Sequence, residues 1–229
     1  MERKYYEAYD DRYRKIHGEG LQWFYNDPSP IVSEMIQRYG IAKESKILEL
    51  GCGEGRDAYP LLHQGYNLMA TDISEAAIHY AQNKWPQYTE KFRVLDCIEG
   101  EDPEKYDFIY AVAVLHMLVE DADRDAFYAF IRNHLTTNGI ALICTMGDGL
   151  MERQADIRTA FELQNRIHEP TGKIVQIANT SCRMVNFDTF REELHRNHLT
   201  VLQEDITAAP PDFPVMMYAV VSNTQREPV

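Results

Sequence analysis

Three glycines alternate with other residues directly after a short apolar run, in the segment ILELGCGEGRD that begins at residue 47. The run KILEL (46–50) predicts a buried strand, and residues 55–64 predict a helix, with Pro60 near its start, where proline is tolerated. Glycines at a strand-to-helix turn allow a ligand to lie against bare backbone, because no Cβ is in the way. The segment therefore predicts a ligand-binding corner of an open α/β sheet.

Strands and helices continue to alternate up to residue 146. Helices are predicted after Ser74, which is a good N-cap residue, and along the stripe formed by Phe127, Phe130 and Ile131. Further strands are predicted at NLMAT (67–71), FRVLD (92–96), DFIYAVAV (107–114) and IALICT (140–145). Such alternation is typical of a mostly parallel sheet with helices on both faces. We therefore expect an α/β fold with a mostly parallel sheet.

The two ends of the chain have other patterns. Tyrosines at nearly helical spacing predict a helix over 3–16, and Ser29-Pro30 predicts the start of a second helix that stops near Gly40. After Gly147 we predict a polar helix at about 151–168, two short β-like runs, a helix at 188–198 and strands at 199–206 and 215–222. We expect one domain, 1–229, with an N-terminal helical cap or lid (1–40), a cofactor-binding core (41–146), a variable substrate-cap insertion after strand 5 (147–187) and a C-terminal helix with strands (188–229).

The charge balance limits the partners. The chain has 23 Lys and Arg against 36 Asp and Glu, a formal net charge of −13, which repels phosphate backbones and anionic membranes. No apolar stretch approaches the ~20 residues of a membrane span. The N-terminus is charged and aromatic, unlike a signal peptide, and the four widely spaced cysteines suggest reduced thiols. We expect a cytoplasmic protein that acts on a small molecule, without a nucleic-acid or membrane partner.

Two ligand classes compete for the glycine turn. A dinucleotide fingerprint is G-x-G-x-x-G, but here the third glycine position is occupied by Arg56, which would crowd the packing of helix on strand. Glu49, two residues before the first glycine, suits a cationic amino-acid group better than phosphates. The turn therefore favours a ligand other than a dinucleotide.

The same segment resembles the first motif of class I S-adenosylmethionine-dependent methyltransferases, (E/D)-x-G-x-G-x-G. The resemblance continues in order through ATDIS (70–74), VLDC (94–97), DFIYAVAVLHML (107–118) and HLTTNGIALICT (134–145). GCGEGRD and DDRY most resemble the small-molecule group that includes tellurite-resistance-type and thiopurine-type enzymes. The resemblance implies an α/β, Rossmann-like fold with seven mostly parallel strands and helices on both faces. It also implies S-adenosylmethionine as cofactor, S-adenosylhomocysteine as product, and methyl transfer to an O, N or S atom of a small acceptor.

The resemblance also assigns residues to parts of the cofactor. An ionised carboxylate at Asp72 can accept hydrogen bonds from both ribose hydroxyls. Asp96 and Cys97 would lie near the adenine, and Ala111 beneath the amino-acid part. The full expected cofactor set is Glu49, Gly51, Cys52, Gly53, Gly55, Asp72, Ile73, Asp96, Cys97 and Ala111.

The acceptor side of the site is less defined. His116, after the fourth strand, is either a general base or a hydrogen-bonded structural histidine. The tyrosine stripe and the aromatic run Trp23 to Tyr25 either cover the pocket or fill the core, and the arginines after residue 150 either hold a substrate carboxylate or lie on the surface. The expected substrate and lid residues are Tyr5, Tyr9, Tyr13, Trp23 and Arg183. We expect no metal ion.

Three other functions stay open. They are an NAD(P)-dependent Rossmann oxidoreductase, a protein that binds S-adenosylmethionine without catalysis, and a nucleic-acid methyltransferase.

Overall fold

A seven-stranded sheet forms the centre of the protein, in a computed structural model that describes residues 3–23, 27–168, 170–209 and 213–223. The spatial order is β10-β11-β5-β4-β1-β2-β3. Strands β1 to β5 run parallel to one another, whereas β11 is antiparallel to both of its neighbours, β5 and β10. The bounds are β1 (Ile47–Leu50), β2 (Leu68–Asp72), β3 (Phe92–Val94), β4 (Tyr106–Val112), β5 (Leu135–Met146), β10 (Thr200–Ala209) and β11 (Phe213–Ser222). The predicted mostly parallel, Rossmann-like sheet is confirmed.

Helices cover both faces of this sheet. Their bounds are α1 (Ala8–Gly18), α2 (Pro30–Arg38), α3 (Ala58–His63), α4 (Glu75–Lys84), α5 (Asp121–His134) and α6 (Phe187–Arg196). Leu48 and Ile109 belong to one core with α5 and α6, whereas Ile47 and Phe108 belong to a second core with α2, α3 and α4. Neighbouring strand residues therefore point into different cores, which explains why the central strands are buried on both sides. No helix in the described ranges combines the length and apolarity that crossing a bilayer requires.

Helix starts follow the predicted capping residues in part. The Ser74 hydroxyl accepts a hydrogen bond from the Ala77 N–H at 3.1 Å, which confirms Ser74 as the N-cap of α4. Ser29 precedes α2, with Pro30 at the first helical position, but its hydroxyl donates to the Asp57 carboxylate at 2.9 Å and does not cap the helix.

The predicted polar helix at 151–168 is wrong. The segment contains the short strand β6 (Arg153–Gln154), a 3-10 turn (Ile157–Thr159) and strand β7 (Leu163–His168). Strand β7 forms an antiparallel hairpin with β8 (Lys173–Ala178), and β6 pairs with β9 (Arg183–Met184). Gly172 closes the hairpin at φ +69°, a conformation that glycine adopts readily. The Pro-Thr-Gly turn and the alternating residues on either side of it specify strands, although the composition is polar.

The N-terminal segment begins with a 3-10 turn (Tyr5–Glu7) and continues as α1. The Tyr5 hydroxyl accepts a hydrogen bond from the Val119 N–H at 2.8 Å and donates to Asp123 at 2.7 Å, at the start of α5. Further along, Asp10 accepts from the Ser74 hydroxyl at 2.7 Å, at the start of α4. Ile16 packs with Val175 and Ile177 of β8, in a small third core. These contacts hold α1 across the carboxyl ends of the parallel strands.

Candidate active site

A cavity, called here the first cavity, lies where the carboxyl ends of β1, β2 and β4 meet α1. Tyr6, Tyr9 and Tyr13 from the N-terminal segment form one side of it. The structure brings ten of the predicted residues into its wall: Tyr9, Tyr13, Glu49, Gly51, Cys52, Gly53, Asp72, Ile73, Asp96 and Cys97. Tyr6 also belongs to this wall, although the sequence did not indicate it as a site residue.

The glycine turn has the backbone conformation for which its residues were singled out. Gly51, Gly53 and Gly55 all have positive φ, between +53° and +79°. A Cβ on Gly51 would lie 2.3 Å from a methyl group of Val114. A Cβ on Gly55 would lie 2.5 Å from the Trp85 ring, and Gly55 does not line the first cavity. Gly55 therefore permits packing of the turn against aromatic side chains, and we find no contact with a ligand site there.

Asp72, at the end of β2, is a buried carboxylate in this wall. Its carboxylate accepts hydrogen bonds from the N–H groups of Gly53 and Ser74, both at 2.8 Å, and the residue is 8% exposed. Burial raises the pKa of Asp72 to about 6, although the two backbone donors oppose that shift. A carboxylate has about four acceptor positions, so two remain for a ligand.

Three further carboxyl groups, those of Glu49, Asp57 and Asp96, line this wall. Glu49 is buried and accepts a hydrogen bond from the Tyr110 hydroxyl at 2.9 Å. Burial, with the nearby charge of Asp57, raises the pKa of Glu49 well above its usual range. Asp96 accepts a hydrogen bond from the Ile98 N–H at 2.8 Å. Such a wall favours a ligand with a positive charge and hydroxyl donors, and it would repel a pyrophosphate.

Arg56 occupies the position of a third fingerprint glycine, and its side chain extends toward the start of α2. One guanidinium nitrogen, Nη2, donates to the Ser29 hydroxyl at 3.0 Å and lies 3.5 Å from a carboxylate oxygen of Asp57. Arg56 is thus part of the wall and is held by residues beside the glycine turn.

Besides Gly55, three predicted site residues line neither the first cavity nor the second cavity, which is described below. Ala111 is fully buried inside the sheet, and Ala113, whose φ of +61° is unusual for alanine, lines the first cavity in its place. Arg183 instead donates from its guanidinium to the Val119 carbonyl at 2.8 Å and to Asp121 at 2.6 Å. Tyr5 is used to anchor the start of α5.

A second cavity, of about 500 Å³, adjoins the first between α1, the 3-10 turn Leu115–Met117 and the hairpin β7–β8. That volume is within the usual range for a small-molecule site. Trp23 and His116 line it, whereas Phe24 and Tyr25 lie outside the described residues. The residues that line both cavities are Tyr9, Tyr13, Met117 and Phe213.

His116 is 4% exposed, and its Nδ1 atom has no hydrogen-bond partner among the described residues. Burial lowers the pKa of His116 to about 4, and the positive charges of Arg124 and Arg12 act in the same direction. The imidazole is therefore neutral at pH 7. Its ring lies edge-on to Phe213, with 6.0 Å between the centroids, in the region shared by the two cavities.

Arg12 is a cavity residue that the sequence analysis did not identify. It is 8% exposed, and its Nη2 atom donates to the Thr180 hydroxyl at 2.5 Å and to the Asn179 carbonyl at 3.2 Å. The guanidinium lies 4.9 Å from the centroid of the Trp23 ring. Its position three residues after Tyr9 places Arg12 on the same helix face, and this spacing is the sequence feature that could have indicated it as a site residue.

Residues 48–141 match the family described as "Methyltransferase domain". The chain is 30% identical over 120 residues to ubiquinone biosynthesis O-methyltransferase of Rickettsia prowazekii, covering 51% of this chain and 46% of that protein. It is 29% identical over 134 residues to malonyl-[acyl-carrier protein] O-methyltransferase of Bacillus cytotoxicus, covering 58% and 45%. The chain thus spans about half the length of these curated relatives.

Solved structures share the fold over most of the chain. The 1,6-didemethyltoxoflavin-N1-methyltransferase of Burkholderia thailandensis, solved with S-adenosylhomocysteine and 1,6-didemethyltoxoflavin, has a TM-score of 0.69 at 18% identity, covering 95% of this chain and 88% of that one. The glycopeptide N-methyltransferase MtfA, solved with S-adenosylmethionine, has a TM-score of 0.63 at 20% identity, covering 87% and 95%. Residues 48–141 therefore form a methyltransferase domain, and the strand order and the glycine turn are similar to those of the class I S-adenosylmethionine-dependent methyltransferases.

Proposed function

We propose that this chain transfers a methyl group from S-adenosylmethionine in the first cavity to a small-molecule acceptor in the second. The observation that carries the proposal is the junction of the two cavities at four shared residues, Tyr9, Tyr13, Met117 and Phe213. A donor and an acceptor on the two sides of this junction would approach each other directly, and such positioning supplies much of the rate in reactions of this kind.

The wall of the first cavity fits the proposed cofactor. When bound, S-adenosylmethionine supplies a methyl group on a positively charged sulfur. The remaining acceptor positions of Asp72 suit two neighbouring ribose hydroxyls, and Asp96 suits the amino group of the adenine. Glu49 provides a carboxyl group near the glycine turn, and the cationic amino-acid end that would lie there favours its ionised form. The tyrosine faces of α1 add a surface that attracts cations.

His116 is the proposed general base, since its neutral imidazole lines the acceptor cavity beside the shared residues. It would accept a proton from a hydroxyl or amine of the acceptor as that atom is methylated. A low pKa makes it a weak base in the free protein. An acceptor that offsets the charge of Arg12 would raise the pKa of His116 and make the imidazole a stronger base.

The names of the Rickettsia and Burkholderia enzymes support a small-molecule acceptor for this chain. The Rickettsia and Bacillus proteins are named as O-methyltransferases, and the Burkholderia enzyme as an N1-methyltransferase bound to 1,6-didemethyltoxoflavin. We accordingly propose an oxygen or nitrogen atom as the methyl acceptor.

Calorimetry with S-adenosylhomocysteine and NAD⁺, followed by an acceptor screen that measures S-adenosylhomocysteine release, tests the proposal. We expect micromolar binding of S-adenosylhomocysteine, none of NAD⁺, and turnover of at least one hydroxyl or amine compound. Binding without turnover by any acceptor would instead identify a protein that only binds the cofactor. Preferential binding of NAD⁺ would favour an oxidoreductase.

A further inference from the structure

The second cavity is locally positive, although the chain as a whole carries a net charge of −13. Arg12, Arg153 and Arg166 line it, and within the described ranges Asp156 is the one carboxylate in its wall. Both oxygens of Asp156 accept hydrogen bonds from Arg158, which does not line the cavity. The one negative charge is therefore balanced from outside, and the three arginines determine the electrostatic character of the cavity.

Arg12 is buried without an ion pair. No carboxylate of the described residues lies within 4 Å of its guanidinium. Its Nη2 atom donates all of the side chain's hydrogen bonds to described residues, to a threonine hydroxyl and to two backbone carbonyls. Its Nε atom is buried and has no partner in the described part of the chain. A buried guanidinium is normally paired with an anion, because an unpaired one loses hydration without compensation.

A second arginine lies near Arg12. Arg166, on β7, is exposed at the cavity edge, and the described residues offer its side chain no ion pair or hydrogen bond. The charge of Arg166 helps to lower the pKa of Arg12, although burial is the larger cause. Two positive charges thus face one cavity, and the described residues place no carboxylate within ion-pair distance of either.

We propose that the second cavity takes an acceptor with a carboxylate group, which is held by Arg12 and Arg166. This inference rests on the proposed function for the identity of that cavity as the acceptor site. Arg12 and Arg166 do not line the first cavity, so the carboxylate serves as the binding group and a different atom of the acceptor is methylated. Trp23, Phe213 and Met146 supply the surface for a flat, apolar body.

Calorimetry with three matched pairs tests the charge requirement: 4-hydroxybenzoate and its amide, indole-3-acetate and its amide, and 3-phenylpropanoate and its amide. Each is titrated into the protein with and without S-adenosylhomocysteine. We expect at least one carboxylate to bind at least about tenfold more tightly than its amide, in keeping with a charge-assisted hydrogen bond in a buried site. If no carboxylate binds more tightly than its amide, including the case in which none binds, the proposal is overturned.

Charge-removing variants locate the effect. Arg166 lies on the cavity edge. Its replacement, Arg166→Gln, should reduce the carboxylate preference about fivefold or more, as expected for the loss of one charged contact. Lys173→Gln removes the same charge from the same hairpin outside both cavities, and should leave the preference unchanged. Equal losses in the two variants would show a general charge effect and contradict the assignment. Arg12→Gln, with circular dichroism to check folding, should abolish the preference.

Cofactor binding is measured in the same titrations, so the two proposals fail separately. Loss of S-adenosylhomocysteine binding with a retained carboxylate preference would reject the proposed function but not the anion site. Normal S-adenosylhomocysteine binding without a carboxylate preference would reject the anion site alone.

Discussion

The Asp72 carboxylate accepts a hydrogen bond from the Gly53 N–H at 2.8 Å, which connects the end of β2 to the turn after β1. One side chain thus fixes the shape of the glycine turn and also presents acceptor oxygens to the first cavity. The two functions can be separated, since an amide at position 72 keeps one acceptor oxygen and loses the charge.

Replacing Asp72 with alanine should weaken S-adenosylhomocysteine binding about 100-fold, because two hydrogen bonds to a charged acceptor are lost together. Isothermal titration calorimetry measures the change. Asp188→Ala, at the exposed start of α6, is the control for removing a carboxylate and should bind normally. An unchanged affinity in Asp72→Ala would remove Asp72 from the ribose site.

Cofactor affinity should depend on pH through the same residue. The pKa of Asp72 in the free protein is raised to about 6, and ligand hydroxyls that bind the ionised form would lower it. Protons therefore compete with the ligand below pH 6, and S-adenosylhomocysteine should bind about tenfold more weakly at pH 5 than at pH 7. The dependence should flatten in Asp72→Asn, whereas an equal slope in that variant would assign it to another group.

His116→Gln should reduce turnover about 100-fold or more at saturating substrates, the usual contribution of a general base. Glutamine keeps most of the volume, so S-adenosylhomocysteine affinity should stay unchanged. His79→Gln, on the exposed side of α4, is the matched control. Turnover equal to that of the parent protein would leave His116 with a packing role only.

Gly55→Ala should destabilise the protein by more than Gly65→Ala, in urea unfolding followed by circular dichroism. Both glycines have positive φ, +79° and +85°, so both variants carry a similar backbone penalty of about 1 kcal/mol. A Cβ has open space at Gly65 but meets Trp85 and Phe92 at Gly55, which should add about 2 kcal/mol. Equal losses would contradict the packing role of Gly55.

Much of the first cavity could be predicted because several of its residues belong to short motifs that can each be recognised from neighbouring residues. A glycine turn must follow a strand, and Asp72 and Asp96 are recognisable at or just after the ends of their strands. The conformation of Gly55 was therefore predictable, but its aromatic neighbours, Trp85 and Phe92, come from distant segments. No pattern near residue 55 indicated that packing would use this glycine.

The second cavity was harder to predict because separate elements assemble it. The sequence analysis assigned the tyrosines of α1 to the site. Arg12, on the same helix face, is recognisable as a site residue only from its contacts with Thr180 and Asn179 in the structure. The error at 151–168 had a different cause, since polar composition was given more weight than the turn around Gly172. Had the turn around Gly172 been given more weight, the sequence would have predicted a strand that contains Arg166.

The N-terminal segment is held at several separated places, among them Tyr5 at α5, Asp10 at α4 and His17, which is 2.8 Å from Glu54 in the glycine turn. Local fluctuation of one attachment leaves the others in place. We expect exchange of a molecule in the first cavity to require detachment of this segment as a whole, so the residence time of the cofactor should follow the free energy of that detachment.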